Sequence, residues 1–163
     1  MLREECGTDE TPLGHQVSDT RRHCESPSVT APFNPSAHLH AASRGNVDSL
    51  RLLATQGCNL AAANGDHCSM EQGLVFARLA YAHSNLVCDA GLLLSSLAVA
   101  SAMSPDQDER DSLQAEAIAL VSVLADRGEP TCETWLSAMV EDSTAEATEG
   151  AKAIRELMLE RAG

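Results

Sequence analysis

Histidine and cysteine side chains are the first candidates for chemistry in this sequence, because they bind metals and serve as bases or nucleophiles. They lie close together in His23-Cys24, His67-Cys68 and His38-x-His40. Structural zinc sites need ligands about two to four residues apart, repeated at a second place in the chain. Neither Cys-x-x-Cys nor His-x-x-x-His occurs. The sequence therefore predicts no metal site.

Motifs for nucleophilic or phosphate chemistry are also missing. The chain has no Gly-x-Ser-x-Gly, no Gly-Lys-Ser/Thr and no Gly-x-Gly-x-x-Gly. Neighbouring carboxylates such as Asp108-Glu109 and Glu141-Asp142 are expected near helix N-termini or in solvated turns. We predict no catalytic residue and no cofactor. A Cys/His pair assembled by the fold stays open, because catalytic groups are defined by their spatial arrangement.

The elements that position these residues must be built with few aromatic side chains. Of the 163 residues, only Phe33, Phe76, Tyr81 and Trp135 are aromatic. The core must therefore consist of Leu, Ala, Val, Ile and Met, and small alanines allow helix axes to approach closely. A β-sandwich would use more β-branched and aromatic residues. The composition predicts an all-α fold of stacked antiparallel helical hairpins, an irregular α-solenoid.

The negative charge is concentrated in the C-terminal third. The formal net charge is −13, and residues 105–163 hold fourteen acidic side chains against five basic ones. Such a field repels phosphate backbones, so nucleic acid is excluded as a partner. A solvated acidic face accounts for the charge, and a basic protein docking on the C-terminal helices is the alternative.

The compartment is predicted from three observations. The opening "MLREECGTDE" lacks the apolar centre of a signal peptide, and the most apolar window, Leu86–Met103, is interrupted by Asp89. The six cysteines are scattered, and free thiols are expected. We expect a cytoplasmic protein without membrane insertion. The sequence does not predict its oligomeric state.

Two regions differ in composition. Residues 1–35 contain three prolines within fourteen residues and no periodicity, which is typical of a disordered tail. Residues 36–163 are periodic and predict a helical domain in three parts. These parts are a hairpin at 36–66, a second hairpin at 67–104, and acidic helices at 105–163.

Capping residues set the predicted helix boundaries. A first helix over 37–44 ends at Gly45, and Asn46 caps a second over Val47–Gln56, with Gly57 as a left-handed C-terminal residue. Later helices are predicted over 71–83, 89–103, 105–126, about 132–139 and 144–161. Ser104, Thr131 and Ser143 are the predicted N-caps of the last three helices. Helical spacing also predicts inward-facing stripes, which are Val47, Leu50, Leu53 and Ala54, then Leu113, Ala117, Leu120, Val121 and Leu124, and finally Ala147, Gly150, Ile154, Leu157 and Met158.

One stretch resembles a known family. The residues that carry the resemblance are Ala41, Ala42, Gly45, Leu52, Leu53 and Gly57. With the tail "CNLAAANGD", they make residues 37–66 similar to an ankyrin repeat, in one copy. Tyr81, Ala100 and Pro105 weakly resemble a tetratricopeptide unit. Repeat units bury their faces against neighbours, so the rest of the chain is expected to stack on this hairpin.

The resemblance implies a protein–protein interaction module, an adaptor or scaffold. In such units partners meet the loop tips and the first helix, here Ser43, Arg44, Asn64 and Asp66. The alternative is a small all-α enzyme or ligand-binding protein with a pocket between helices. A third reading is an adaptor whose arm, residues 1–35, makes the contact.

Trp135 is the lone tryptophan, on a predicted short helix. It is expected either to anchor the core or to be a partly exposed contact for a partner, since tryptophan is enriched at interface hot spots.

Overall fold

The structure is a computed structural model that describes residues 33–160, and those residues form seven helices without a strand. The helices are α1 (Pro35–Ala42), α2 (Val47–Asn64), α3 (His67–Ser84), α4 (Val87–Met103), α5 (Gln107–Asp126), α6 (Cys132–Glu141) and α7 (Ala145–Glu160). The predicted all-α class is confirmed. The predicted tail falls almost wholly on residues 1–32, which lie outside the described residues.

Neighbouring helices pack in chain order from α1 to α5, and α5 then contacts both α6 and α7. The turns between α1 and α5 have two to four residues, so each helix runs antiparallel to the one before it. The main core passes from α2 through α6 and is built from Leu, Ala and Val with Met70 and Cys132. Alanine at many of these positions allows the helices to approach closely, as the composition predicts.

The turn between α1 and α2 forms as predicted, although α1 lies two residues earlier. Gly45 has a φ of +79°, which only glycine adopts without strain. The side chain of Asn46 accepts a hydrogen bond from the Ser49 amide at 2.8 Å and caps α2. In the predicted stripe of α2, Leu50, Leu53 and Ala54 are buried.

The predicted end of α2 at Gly57 is wrong. The helix continues for seven more residues to Asn64, and Gly65, with a φ of +68°, is its left-handed cap. Gly57 instead lies at the crossing of α2 and α3, where a Cβ atom would come within 2.7 Å of the Gly73 Cα atom. The segment that resembles the ankyrin loop is therefore helical, and its glycine serves close packing.

The second predicted hairpin corresponds to α3 and α4, which pack against each other. Asn85, with a φ of +53°, ends α3 in the predicted inter-helix turn. Both helices begin earlier than predicted, α3 at His67 and α4 at Val87. Asp66 caps α3 through a hydrogen bond from the Cys68 amide, which the sequence pattern did not indicate.

Two predicted N-caps are displaced. Asp106 rather than Ser104 caps α5, accepting from the Asp108 amide at 3.1 Å, because Ser104 ends α4. Thr144 rather than Ser143 accepts from the Ala147 amide at the start of α7, while the Ser143 hydroxyl donates to the Met139 carbonyl of α6. Ser104 ends α4 through its backbone amide, while its hydroxyl accepts from the Asp106 amide at 3.2 Å and donates to Glu109 of α5. Among the described residues, the Ser143 hydroxyl bonds only to the preceding helix.

Helix α5 is the most buried element because other helices cover opposite sides of it. The predicted stripe Leu113, Ala117, Leu120, Val121 and Leu124 is buried toward the main core. A second stripe, Ala115, Ile118 and Ala119, packs with Ala151 of α7. The predicted burial of Leu157 on α7 is wrong, since 56% of it is exposed.

The predicted free thiols are confirmed at Cys58, Cys68 and Cys132. The prediction is wrong for Cys88, which is disulfide-bonded.

Candidate partner-binding groove

An open apolar groove of about 660 Å³ lies between α4, α5 and α6. It forms because α4 and α6 each pack against α5 but scarcely contact each other. The floor is provided by α5, whose Leu113, Ala117 and Val121 line the groove and are nearly fully buried. We call this cavity the Trp135 groove.

The walls of the Trp135 groove are formed by small and apolar side chains. Leu94, Ala98 and Ser101 of α4 form one wall, and Ala138 and Met139 of α6 contribute to the other. Ala98 and Ala138 are exposed, so their methyl groups face solvent beside the floor. Small side chains on both walls leave room for a bulky apolar group to enter.

Trp135 completes the wall formed by α6 and is 54% exposed. Its placement follows from the sequence of α6. Cys132, Leu136 and Met139 share the helical face that packs against the core, so Trp135 lies beside that face and not within it. The interpretation of Trp135 as a core anchor is therefore wrong. The structure leaves a large indole at the edge of an apolar cavity.

Three acidic residues lie within one helical turn of residues that line the Trp135 groove. Glu141, the last residue of α6, and Asp142, its C-cap, follow Ala138 by three and four residues and so lie one turn beyond it. Both are exposed, and neither forms an ion pair with a described basic residue. On α5, Asp111 precedes the lining residue Gln114 by three residues.

Arg110 is the one basic residue that lines the groove in the described part of the chain. Its guanidinium donates to the Ser104 carbonyl oxygen at 2.8 Å and to the Gln107 side-chain oxygen at 2.6 Å. These bonds tie Arg110 to the start of α5. The groove thus has an apolar floor and one charged lining residue, near the start of α5.

The four other residues predicted to contact a partner do not converge. Ser43 and Arg44 precede α2, whereas Asn64 and Asp66 follow its start by more than fifteen residues. A rise of 1.5 Å per residue separates the two ends of α2 by about 27 Å. All four are exposed, but the extension of α2 through Gly57 places the two pairs at opposite ends of a helix.

Asp66 also has a structural task. Its carboxylate accepts hydrogen bonds from the Ser69 hydroxyl at 2.6 Å and from the Cys68 amide at 3.1 Å. The hydrogen bond from the Ser69 hydroxyl is the main cause that lowers the pKa of Asp66, and hydrogen bonds from the Ser69 and Cys68 backbone amides lower it further. Capping of α3 accounts for its position without a partner.

A buried ion pair that the sequence reasoning missed joins α2 to α4. Arg51 donates to both Asp89 oxygens, at 2.6 and 2.7 Å, and the Ser84 hydroxyl at the end of α3 donates to the same carboxylate. Asp89 is 1% exposed. Arg51 and Asp89 lie 38 residues apart, so no local spacing could have indicated the pair.

The environment of Asp89 is fully satisfied. Burial opposes its ionisation, but the hydrogen bonds from Arg51 and Ser84 and the charge of Arg51 outweigh burial and lower the pKa of Asp89. No buried side-chain nitrogen or oxygen in the described residues lacks a hydrogen-bond partner. Asp89 therefore fits a structural role and not that of a catalytic base with a raised pKa.

A second cavity of about 450 Å³ lies between α3, α5 and α7. Its lining includes Arg78, Tyr81, Glu116 and Arg127. Arg78 forms a two-pronged ion pair with Glu116, whose hydrogen bond raises the pKa of Arg78 despite partial burial. Arg127 donates to the Asn85 side chain at 2.8 Å.

Residues 33–160 contain neither a cluster of metal ligands nor a helix that could span a membrane. No three histidine, cysteine or acidic residues come together there in a group that could hold a metal ion. No helix in that range is long and apolar enough to span a bilayer.

The fold of the described residues defines the class of protein as all-α. Comparison with protein-family models, with curated proteins and with solved structures gives no match. The candidate site therefore depends on the geometry of the groove alone.

Proposed function

We propose that this protein is a protein–protein interaction module that binds its partner in the Trp135 groove. The observation that carries the proposal is an exposed tryptophan beside an apolar cavity that no described helix fills. Isolated exposed apolar residues are normal, but a continuous apolar groove with a tryptophan at its edge is typical of interaction sites.

The shape of the groove supports a helical partner segment. Two helices that pack on a third with little contact between them leave a channel along it, and amphipathic helices bind in such channels. The lining on α5 extends from Arg110 to Val121, which is about 16 Å or three turns of helix. A partner helix of that length would complete a bundle around α5.

The proposal is tested by capture from lysate of the source cells with two matched variants of the full chain. Ala98→Arg places a long side chain in the wall of the groove, whereas Ala62→Arg makes the same change at an exposed position of α2. Both alanines lie on helix surfaces, so both variants are expected to fold. A specific partner should be retained by the native chain and by Ala62→Arg, and lost with Ala98→Arg. Equal retention by both variants would contradict the proposal.

The α3–α5–α7 cavity favours a second candidate, a ligand-binding protein with an inter-helix pocket. Its volume lies within the range of small-molecule sites, and its arginines and tyrosine could orient a polar ligand. A screen of small metabolites by thermal unfolding would test this candidate. A true ligand should raise the Tm of the native protein, and Arg127→Gln should reduce that increase.

A further inference from the structure

We infer that the occupant of the Trp135 groove is a single cationic amphipathic helix, with an apolar stripe on one face and lysine or arginine on its flanks. This inference rests on the proposed function and specifies the chemistry of the partner. It follows from combining the apolar lining with the charge of the helices that form the groove.

The charge of the three helices around the groove is strongly one-sided. Helices α4, α5 and α6 together hold eight acidic residues and one basic residue, Arg110. Three of the acids form ion pairs with basic residues of other helices, and in two of these pairs Arg51 binds Asp89 and Arg78 binds Glu116. Asp126 pairs with Arg155 of α7.

Three acids that lie within one helical turn of groove-lining residues have no ion-pair partner among the described residues. Glu141 and Asp142 lie one turn beyond Ala138, and Asp111 lies one turn before Gln114. Asp111 accepts a hydrogen bond only from the neutral Gln107 amide. A basic side chain flanking an apolar stripe would meet these carboxylates, whereas an acidic flank would be repelled by them.

The apolar stripe would contact the exposed methyl groups of Ala98 and Ala138 and the face of Trp135. Side chains at positions i, i+3, i+4 and i+7 of a helix share one face over two turns, which matches the extent of the α4 wall from Leu94 to Ser101. A flanking lysine or arginine could also lie over the indole ring, which favours cations.

The test uses three synthetic peptides of about 18 residues that contain no tryptophan. The first has a leucine stripe at helical spacing with lysine elsewhere, the second replaces lysine with glutamate, and the third scrambles the first so that the stripe is lost. Binding to the full chain is followed by the fluorescence of Trp135, the lone tryptophan, and by calorimetry. We expect the striped cationic peptide to bind at least tenfold more tightly than the other two, with an affinity that falls as salt rises.

Variants locate the binding and measure the charge contribution. Ala98→Arg should weaken the striped cationic peptide at least tenfold, whereas Ala62→Arg, with the same net charge, should bind within twofold of the native chain. The double variant Glu141→Gln with Asp142→Asn should weaken binding severalfold and reduce its dependence on salt.

Each contrary outcome has a distinct meaning. The inference would be overturned if the scrambled peptide or the glutamate peptide bound as tightly as the striped cationic peptide. It would also be overturned if Ala98→Arg and Ala62→Arg had equal effects on binding. If these occurred while lysate capture remained sensitive to Ala98→Arg, the proposed function would stand and only the chemistry of the partner would be wrong. Capture that ignores Ala98→Arg would overturn the proposed function itself.

Discussion

The junction of α2, α3 and α4 and the Trp135 groove use their polar and apolar groups in opposite ways. At the junction, a carboxylate is buried with its hydrogen bonds satisfied, and two glycines bring α2 and α3 into close contact. At the groove, an indole and apolar walls remain open to solvent beside acidic residues without ion-pair partners. The first arrangement stabilises the fold, and the second leaves an apolar surface exposed for a partner to cover. Substitutions in the two regions should therefore have opposite consequences for stability and for binding.

The largest expected effect on stability comes from breaking the buried ion pair. Asp89→Ala leaves Arg51 without its main partner, and removal of one member of a buried pair typically costs about 3–5 kcal/mol. Urea unfolding would measure the change. Asp48→Ala is the matched control, because Asp48 pairs with the same arginine at the surface, where an ion pair contributes about 0–1 kcal/mol. Similar losses for both variants would show that the junction does not depend on Asp89.

The glycine crossing should give the next largest effect. In Gly57→Ala the new methyl group meets the backbone of α3 at 2.7–2.9 Å, so the helices must separate, at a cost of about 1–3 kcal/mol. Gly91→Ala is the control within α4, where an added Cβ atom meets nothing within 4 Å. There alanine should stabilise by up to about 1 kcal/mol through its higher helix propensity. Stabilisation by both substitutions would refute the close crossing.

A smaller effect is expected from protonation of Asp89. Because its pKa is lowered in the folded state, its contribution to stability is present above the unfolded value of about 3.9 and is lost as the pH falls through the folded value. The native protein should lose stability over that acidic range more steeply than Asp89→Asn. Unfolding free energies measured between pH 6 and pH 2 would compare the slopes, and parallel slopes would contradict the assignment.

The smallest effect on stability is expected in the groove. Trp135→Ala removes a side chain that is more than half exposed, so the unfolding free energy should change by about 1 kcal/mol or less. Leu120→Ala on the buried side of α5 should cost about 2–5 kcal/mol. Calorimetric unfolding of both variants would measure the contrast. A loss at Trp135 as large as that at Leu120 would identify the tryptophan as a core residue and remove it from the binding site.

The elements most accessible to prediction were those defined by local signals. The α5 stripe from Leu113 to Leu124 and the turns at Gly45 and Asn85 follow from periodicity and backbone preference. Gly57 could not be interpreted correctly, because a glycine that ends a helix and one that permits a close crossing are the same residue type. Only the position of Gly73 on the neighbouring helix distinguishes the two roles.

The candidate site was only partly accessible to sequence reasoning. Trp135 was identified as an alternative contact residue because of its type, but its groove exists only because α4 and α6 share α5 as a support. The predicted contacts at Ser43 and Asp66 assumed a short α2, and the longer helix separates them. The Arg51–Asp89 pair depends on the α2–α3–α4 arrangement, which no local pattern specifies.

The central claim is tested most directly by photocrosslinking from inside the groove in source cells. A photoreactive benzoylphenylalanine is placed at position 98 in one chain and at position 62 in another, and the adducts are compared. We expect position 98 to give a discrete adduct with a partner protein, with the crosslinked peptide forming a basic amphipathic helix, and position 62 to give none. The same adducts from both positions, or adducts from position 62 alone, would contradict the assignment of the Trp135 groove as the binding site.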